Sequence, residues 1–470
     1  MIDAPPRPRV AVIGGGITGL ATAWYLKAAG HAPLDVTIVE ADSRLGGKIQ
    51  TAELGGVAVE AGPDTFLARV PWATDLCREL GLQDDLVSPS SSRAYLWCRG
   101  RLRPLPAGLV LGVPTQLRPL LQSGILSTSG AARALLDVAL PRGKFGADPS
   151  VADVIVRRLG REALELLVEP LVGGINAGRA DNLSLRSSAR QLSVAVDRHR
   201  SLVLGLRREK KAKGAPDGPV FQSISGGMER LVDRLRESLG TTEVRPGTRV
   251  STVLPEASGW RVVCAPGPDV VADAVVITVP AFAAASILRG SSAGAAEELE
   301  AIRYASVVTA TLGYEPRALP RPLDGSGFLV PRAEGKLLTA CTWSTTKWPA
   351  LGASGLVMLR PSAGRFGDDR AIHLDDNDLV ARLHEELVAT VGVTAPPVTS
   401  LVSRWPKAFP QYEPGHEERV DRIEVDLDTA LPGVLVAGAA YRGLGIASCI
   451  QQAEHAAGRV TAMLAHRARS

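Results

Sequence analysis

The stretch "RVAVIGGGITGLATAW", residues 9–24, opens on an apolar run, turns through a cluster of glycines and continues in helix-forming residues. Gly14, Gly16 and Gly19 have GxGxxG spacing. The first glycine permits a tight turn, the second lets backbone approach a pyrophosphate, and the third lets the helix pack on the strand. The turn residues Gly15, Ile17 and Thr18 then sit at a helix start, whose amides and dipole face negative charge. A second apolar run, "DVTIVEA" at 35–41, completes a βαβ unit. Glu40 near its end, followed by Ala41, lies where a carboxylate can accept both ribose hydroxyls. The unit predicts a dinucleotide site, and NAD and FAD would both suit it.

The residues after Glu40 separate the two. "EADSRLGGKIQT", residues 40–51, places Arg44, Gly46, Gly47 and Lys48 directly behind the acid. This pattern resembles the second flavin motif of the glutathione-reductase-like amine oxidase superfamily, in which arginine and glycine backbone approach the FAD pyrophosphate. The resemblance favours FAD.

Bulk properties exclude several classes. The 470 residues are 45% hydrophobic, enough to bury one large interwoven core or two to three domains. Net charge is only +4, and all but nine of the 53 basic residues are arginine, which argues against a general polyanion binder and allows a local anion clamp. Nucleic acid is not an expected partner. Cys77, Cys98, Cys264, Cys341 and Cys449 lie far apart without a CxxC, so neither a disulfide framework nor a metal site is expected. The N-terminal "MIDAPPRPRV" has no apolar secretion core, and a cytoplasmic, reducing location is expected. The apolar stretches "LPAGLVLGVP" and "AARALLDVALP" are too short and too interrupted to span a bilayer. Residues 105–145 read as a core-facing helix pair or a peripheral membrane face.

Along the chain, residues 72–220 read as mostly helical, with apolar spacing of three and four in "SVADVIVRRLGREALELLVEPL". The charged "RREKKAKGAPDGP" at 207–219 reads as an exposed loop. Short strands follow in "TRVSTVL", "GWRVVCA" and "DAVVITVP", typical of a return to the nucleotide fold. "VVTATLGYE" and "LLTACTWS" suit a second, antiparallel or mixed sheet, and "LPGVLVAGAAYRGLGIASCI" reads as strand, glycine-rich turn and helix.

Four further stretches narrow the family: "EAGPDTF" at 60–66, "ISGGMERLVDRL" at 224–235, "RWPKAFPQYEPGH" at 404–416 and "AGAAYRGLGIASCI" at 437–450. Together they resemble the FAD-dependent porphyrinogen oxidases over nearly the whole chain. "GKIQT" and "TACTWSTTKWP" are similar to the soluble bacterial type that oxidises coproporphyrinogen III. The resemblance implies an α/β fold: a Rossmann-like FAD domain of the glutathione-reductase/amine-oxidase type, an interleaved mixed-sheet substrate domain and a helical insertion. The expected bounds are 1–72, 223–290 and 404–470 for the FAD domain. Those for the substrate domain are 73–90, 190–222 and 291–403, with 91–189 as the insertion lining the pocket.

Carried over by residue, the resemblance gives Gly14–Gly19, Glu40, Ala41, Arg44, Gly46, Gly47 and Lys48 to the adenosine and pyrophosphate. It gives Gly62, Pro63, Asp64 and Thr65 to the loop beside the flavin ring, and the Val250 backbone to the adenine. Trp405, Gly438, Leu444, Gly445 and Ile446 make the remaining flavin contacts. Leu171, Leu329 and Met358 occupy slot positions for a flat macrocycle, with Gly174 allowing close backbone approach. Arg69 is the first candidate for a substrate propionate, although the lysines expected after it are replaced by "RVPW".

A porphyrinogen methylene lies between two pyrroles, so hydride loss leaves a delocalised cation and the pyrrole N–H sheds its proton readily. No strong base is required, in keeping with the absence of a convincing His, Ser or Cys set; Asp64 is the one catalytic candidate. His416 reads as a turn brace and Cys449 as a packing residue, so a non-covalent FAD is expected. The family also implies oxygen as acceptor and, in a heme pathway, a transient contact with a ferrochelatase. Protoporphyrinogen IX oxidation is the neighbouring reading; amine oxidation, carotenoid desaturation and a non-enzymatic flavin scaffold are the others.

Overall fold

The computed structural model describes residues 7–28, 33–212 and 218–469. Residues 1–6, the end of the first predicted helix at 29–32, and 213–217 of the charged loop lie outside the described residues. The strand Arg9–Ile13 pairs in parallel with Asp35–Val39 on one side and Ala274–Ile277 on the other. Glu243–Arg245 and Val434–Val436 extend the two edges, giving a five-stranded parallel sheet among the described residues. Its strands come from three separated parts of the chain, and the inner ones are mostly apolar because both faces are covered. Val10, Val12, Ile38 and Val276 pack with the helices Ile17–Ala28 and Ile446–Arg467. Ala11, Ile13, Val275 and Ile277 pack on the opposite side with Ala281–Leu288 and His416–Ala430.

The second sheet is mixed. Its order is Thr399–Pro410, Tyr304–Tyr314, Val357–Ala363, Leu338–Trp343, Gly327–Leu329, Ala94–Cys98 and Arg101–Pro104. All neighbours are antiparallel except the pair Gly327–Leu329 and Ala94–Cys98. Successive residues of a strand point to opposite faces, and here the faces differ chemically. One carries Val308, Leu312, Leu338 and Leu359 into a closed core with Leu379, Leu383 and Leu387 of the helix Asp376–Val391. The other carries Thr309, Thr311, Arg360, Ser362 and Ala340, a surface of small and polar groups that is covered by no comparable apolar cluster among the described residues.

Residues 94–114 depart from the helical reading. Ala94–Cys98 and Arg101–Pro104 are sheet strands and Leu109–Val110 pairs with Val113–Pro114. The reason is tertiary: Tyr95 and Leu96 find their partners in Phe328 and Leu329, over 230 residues away. After the helix Pro71–Glu79, helices resume at Leu117–Ser123 and continue through Thr128–Leu135, Val151–Leu159 and the wide-coiled Leu164–Gly173, which contains Pro170. Leu120, Ala131 and Ala134 face the core of this unit, while Leu117, Leu121, Leu136 and Val138 are exposed.

At the centre of the helical unit Arg158 and Asp137 are both removed from water, with side chains 3% and 0% exposed and Nε 2.5 Å from Oδ1. Arg158 also donates to the carbonyls of Pro141, Asp137 and Arg200. Asp137 accepts from the Ser201 hydroxyl at 2.6 Å and the Val203 amide at 2.9 Å. Such saturation is what lets a buried pair repay its desolvation. No helix among the described residues is long and apolar enough to cross a membrane.

Candidate functional site: a flavin cradle beneath a polar sheet face

The glycine turn is built for close approach. Gly14 has φ +111°, and a Cβ on Gly19 would lie 1.8 Å from the Gly14 carbonyl oxygen. Only a side-chain-free helix start fits there. The Glu40 carboxylate accepts from the Gly15 amide at 2.5 Å and the Asp42 amide at 2.8 Å, so it stands over the turn as a ribose acceptor must. Gly46 donates to the Gly15 carbonyl at 2.8 Å, lacing the second motif to the first. The Thr248 amide bonds the Glu40 carbonyl, which brings the strand holding buried Val250 to the same edge. Ala41 is exposed beside it.

The Arg44 guanidinium is engaged by its own loop. Its guanidinium donates to the carbonyls of Leu45 at 2.8 Å and Ile49 at 3.0 Å and faces Glu229 at 3.6 Å. It thereby fixes the curvature of the loop that carries Gly46 and Gly47. Lys48 is turned inward onto the Ala408 carbonyl, and burial pushes its ammonium below the ordinary lysine range.

The loop 61–65 is clamped from the polar face of the mixed sheet. The Ala61 carbonyl accepts from Trp405 Nε1 at 3.0 Å, Arg360 Nη2 at 3.2 Å and the Thr309 hydroxyl at 3.4 Å. Arg360 also donates to the Gly62 carbonyl. A Cβ on Gly62 would meet the Lys48 carbonyl oxygen at 1.9 Å, so the two flavin loops press backbone to backbone. Pro63 and Thr65 are half-buried beside them, and the Thr65 hydroxyl bonds Asp64 at 3.3 Å.

Asp64 is held by groups the sequence did not single out. Lys347 Nζ lies 2.6 Å from its Oδ2, and Trp348 Nε1 donates to the same oxygen at 3.4 Å. Burial alone would raise this carboxyl, but Lys347 and Arg360 together hold it below the ordinary range. Glu60, the neighbouring acid, is instead pushed up to about 7, because burial outweighs its bonds from the Met228 amide and Thr51 hydroxyl and the nearby Arg360 charge. Both acids and Arg360 line a cavity of about 570 Å³ between this loop and the turn 223–227. Lys347 had a faint signal in "TTKWP", whereas Thr309 and Arg360 lay in ordinary strand sequence.

The slot residues are partly brought together. Leu171 and Gly174 follow one another at the end of the Leu164–Gly173 helix, and a Cβ on Gly174 would meet Leu329 Cδ2 at 3.9 Å. Met358 is placed elsewhere. It is fully buried in a separate cluster with Leu54 and Val59, because the β-hairpin 51–60 closes over that end of the sheet face. Arg69 is exposed, and its side chain has no hydrogen bond or ion pair among the described residues.

The C-terminal turn completes the site. Gly438 approaches Thr18, with a Cβ at 438 falling 3.5 Å from its Oγ1. Leu444 and Gly445 lead into the 22-residue helix Ile446–Arg467, so a long helix presents its positive end beside the opening motif. Tyr412 is the brace: its hydroxyl donates to the Ala439 carbonyl and accepts from the Gly443 amide. Gln411 donates to the Asn176 carbonyl at 3.1 Å, tying the slot helix to the same segment. His416 stacks on Tyr412 and bonds the Tyr441 carbonyl at 2.9 Å; burial pushes its imidazole down to about 4. Cys449 is buried, and burial pushes its thiol up.

The chain is similar to proteins of one family from end to end. The model of the flavin containing amine oxidoreductases matches residues 17–461. A coproporphyrinogen III oxidase of Bacillus subtilis is 37% identical over 458 residues, covering 96% of this chain and 97% of its own. One from Staphylococcus aureus is 32% identical over 467 residues, covering 97% and 99%. A solved protein from Exiguobacterium sp., provisionally designated a protoporphyrinogen oxidase, superposes with a TM-score of 0.88 at 31% identity, covering 98% of this chain and all of that one. Membership implies FAD, and the bare helix start at Gly14–Gly19 with Glu40 above it fits that dinucleotide. The chain therefore belongs to the flavin containing amine oxidoreductases, and it is an FAD-dependent oxidoreductase.

Proposed function

We propose that this chain oxidises coproporphyrinogen III to coproporphyrin III in heme biosynthesis, using non-covalently held FAD in the cytoplasm. The observation that carries the reading is the end-to-end likeness to relatives bearing that name. In this reading Gly14–Gly19, Glu40, Gly46, Gly47 and Lys48 hold the adenosine and pyrophosphate, with Arg44 shaping their loop and Val250 at the adenine. Gly62–Thr65, Trp405, Gly438 and Leu444–Ile446 surround the ring. Leu171, Gly174 and Leu329 form the slot.

When bound, FAD supplies the two-electron acceptor for hydride lost from a methylene bridge. The chain's own residues supply placement. Thr309, Arg360 and Trp405 fix the 61–65 loop through one carbonyl, and Gln411 and Tyr412 set the distance between slot helix and C-terminal turn. Asp64 is committed to Lys347 and Trp348 and His416 to Tyr441, in keeping with chemistry that needs no strong base. Three two-electron oxidations convert the hexahydro macrocycle to the porphyrin, with three oxygen molecules reduced to hydrogen peroxide. An aromatic cage for amines finds no support: Tyr441 is buried in the core on the far side of the parallel sheet.

The test is to purify the flavin-loaded chain and follow porphyrin fluorescence in air from coproporphyrinogen III and protoporphyrinogen IX, with peroxide measured alongside. The expected result is preferred turnover of the tetrapropionate and three peroxides per porphyrin. Turnover of protoporphyrinogen alone would replace the substrate assignment, and turnover of neither would remove the reading.

A further inference from the structure

The far end of the slot carries more positive charge than its own carboxylates neutralise. The strand Val357–Ala363 runs into a turn at 364–368, where the Phe366 amide donates to the Ala177 carbonyl at 2.7 Å and Arg332 Nη2 donates to the Phe366 carbonyl at 3.2 Å. These bonds seat the turn against the segment that follows Gly174. Arg365 lies there too, its guanidinium held below the ordinary range by burial and by the nearby Arg332 charge. Asp368 is taken by Arg370 through two bonds of 2.8 Å, and Asp181 by Arg179 at 3.3 Å. Glu169 forms an ion pair with Arg332, its Oε1 3.6 Å from Nε, so the carboxylates at this end are each matched to an arginine other than Arg365.

Arg365 therefore has no side-chain hydrogen bond or ion pair among the described residues, and its Nε and that of Arg332 are buried without an acceptor. Orphaned donors on a cation cost free energy unless an anion completes them. The position says which anion. Thr309, Ser362, Ala340 and Leu329 oppose one another in one row across four strands. Thr309 at one end bonds the flavin loop, and Leu329 at the other touches Gly174. Three strand gaps of ~4.8 Å make this row about 14 Å long. Arg332 and Arg365 follow three residues after Leu329 and Ser362, off the same end of two strands of this face and beside the segment that follows Gly174.

We propose that Arg332 and Arg365 form a carboxylate-binding site that takes a propionate of the macrocyclic substrate, a role that rests on the porphyrinogen reading and is separate from that of Arg69. Two guanidiniums offer paired donors to one carboxylate, the strongest arrangement open to a charged hydrogen bond. The test is steady-state turnover of coproporphyrinogen III and of its uncharged tetramethyl ester by flavin-loaded wild type, Arg332→Met, Arg365→Met and Arg365→Lys. Expected for the methionine variants is a KM for the acid raised about 10- to 100-fold with kcat within about twofold. The ester should be turned over alike by all four proteins, and Arg365→Lys should recover part of the loss. An unchanged KM for the acid in both methionine variants, or an equal loss on acid and ester, overturns the site while leaving the activity standing. If a methionine variant fails to hold flavin, the lysine variant decides: a KM raised severalfold for the acid alone supports the site, and an unchanged KM overturns it. A wild type inactive on every porphyrinogen overturns the functional reading and this site with it.

Discussion

Arg158 and Arg365 are both arginines drawn out of water by the fold, and they are treated in opposite ways. Around Arg158 one carboxylate, three carbonyls and the partners of Asp137 leave nothing unsatisfied. Around Arg365 the neighbouring carboxylate of Asp368 is already bound by Arg370, and a buried donor has no acceptor. The first arrangement holds helices together; the second stores recognition capacity on the wall of a site. Satisfaction of donors, together with the place in the fold, separates these two arginines.

That contrast can be broken at several points. The largest effect is expected from Arg158→Ala, which strands Asp137 as a buried lone charge and should cost about 3–5 kcal/mol in chemical denaturation. Loss below about 1 kcal/mol would mean that the cage is not what holds the helical unit. Next comes Glu60, a half-buried acid whose desolvation the nearby Arg360 charge does not offset. Its folded value of about 7 lies above its ordinary 4.5, so the folded chain keeps a proton that the unfolded chain has released between those values. Its contribution to stability therefore falls as pH rises from 4.5 to 7 and is flat above. Glu60→Gln should remove a decline on the order of 2–3 kcal/mol across that window, seen in melting curves at several pH values.

Smaller again is Trp405→Phe, which deletes one of three bonds to the Ala61 carbonyl while keeping the ring. A loss of about 1 kcal/mol, or roughly fivefold in FAD affinity by titration, is expected. The smallest change is expected from Arg365→Ala: within about 1 kcal/mol of wild type and toward greater stability, because an uncompensated cation is removed. A loss comparable to that of Arg158→Ala would erase the distinction between the two arginines.

Much of the cradle was legible because its physics is local. Gly14, Gly16, Gly19 and Glu40 are set by the requirements of a tight turn, a bare helix start and an acid one strand later, all within 32 residues. The C-terminal turn and the helix from Ile446 were legible for the same reason. Residues whose role depends on cross-strand pairing were not. Thr309 and Arg360 look like ordinary strand positions until register puts both against Ala61. Lys347 reaches Asp64 across 283 positions. The strand Ala94–Cys98 was read within a helical region because its partner lies far along the chain. Met358 was given to the slot because a strand's alternation does not reveal which end of its face another hairpin will close.

The sequence by itself determined the cofactor class, the three-part parallel sheet around it and the family, since glycine placement and apolar runs act over a few residues. Only the tertiary structure decided which polar groups meet. A hydrogen bond or an unpaired charge exists between residues distant in sequence, and its energy depends on ångström distances that composition and spacing do not encode. Arg332 and Arg365 share with Arg103 and Arg360 a buried Nε without an acceptor; what sets them apart is that the fold brings the two together beside the segment that follows Gly174.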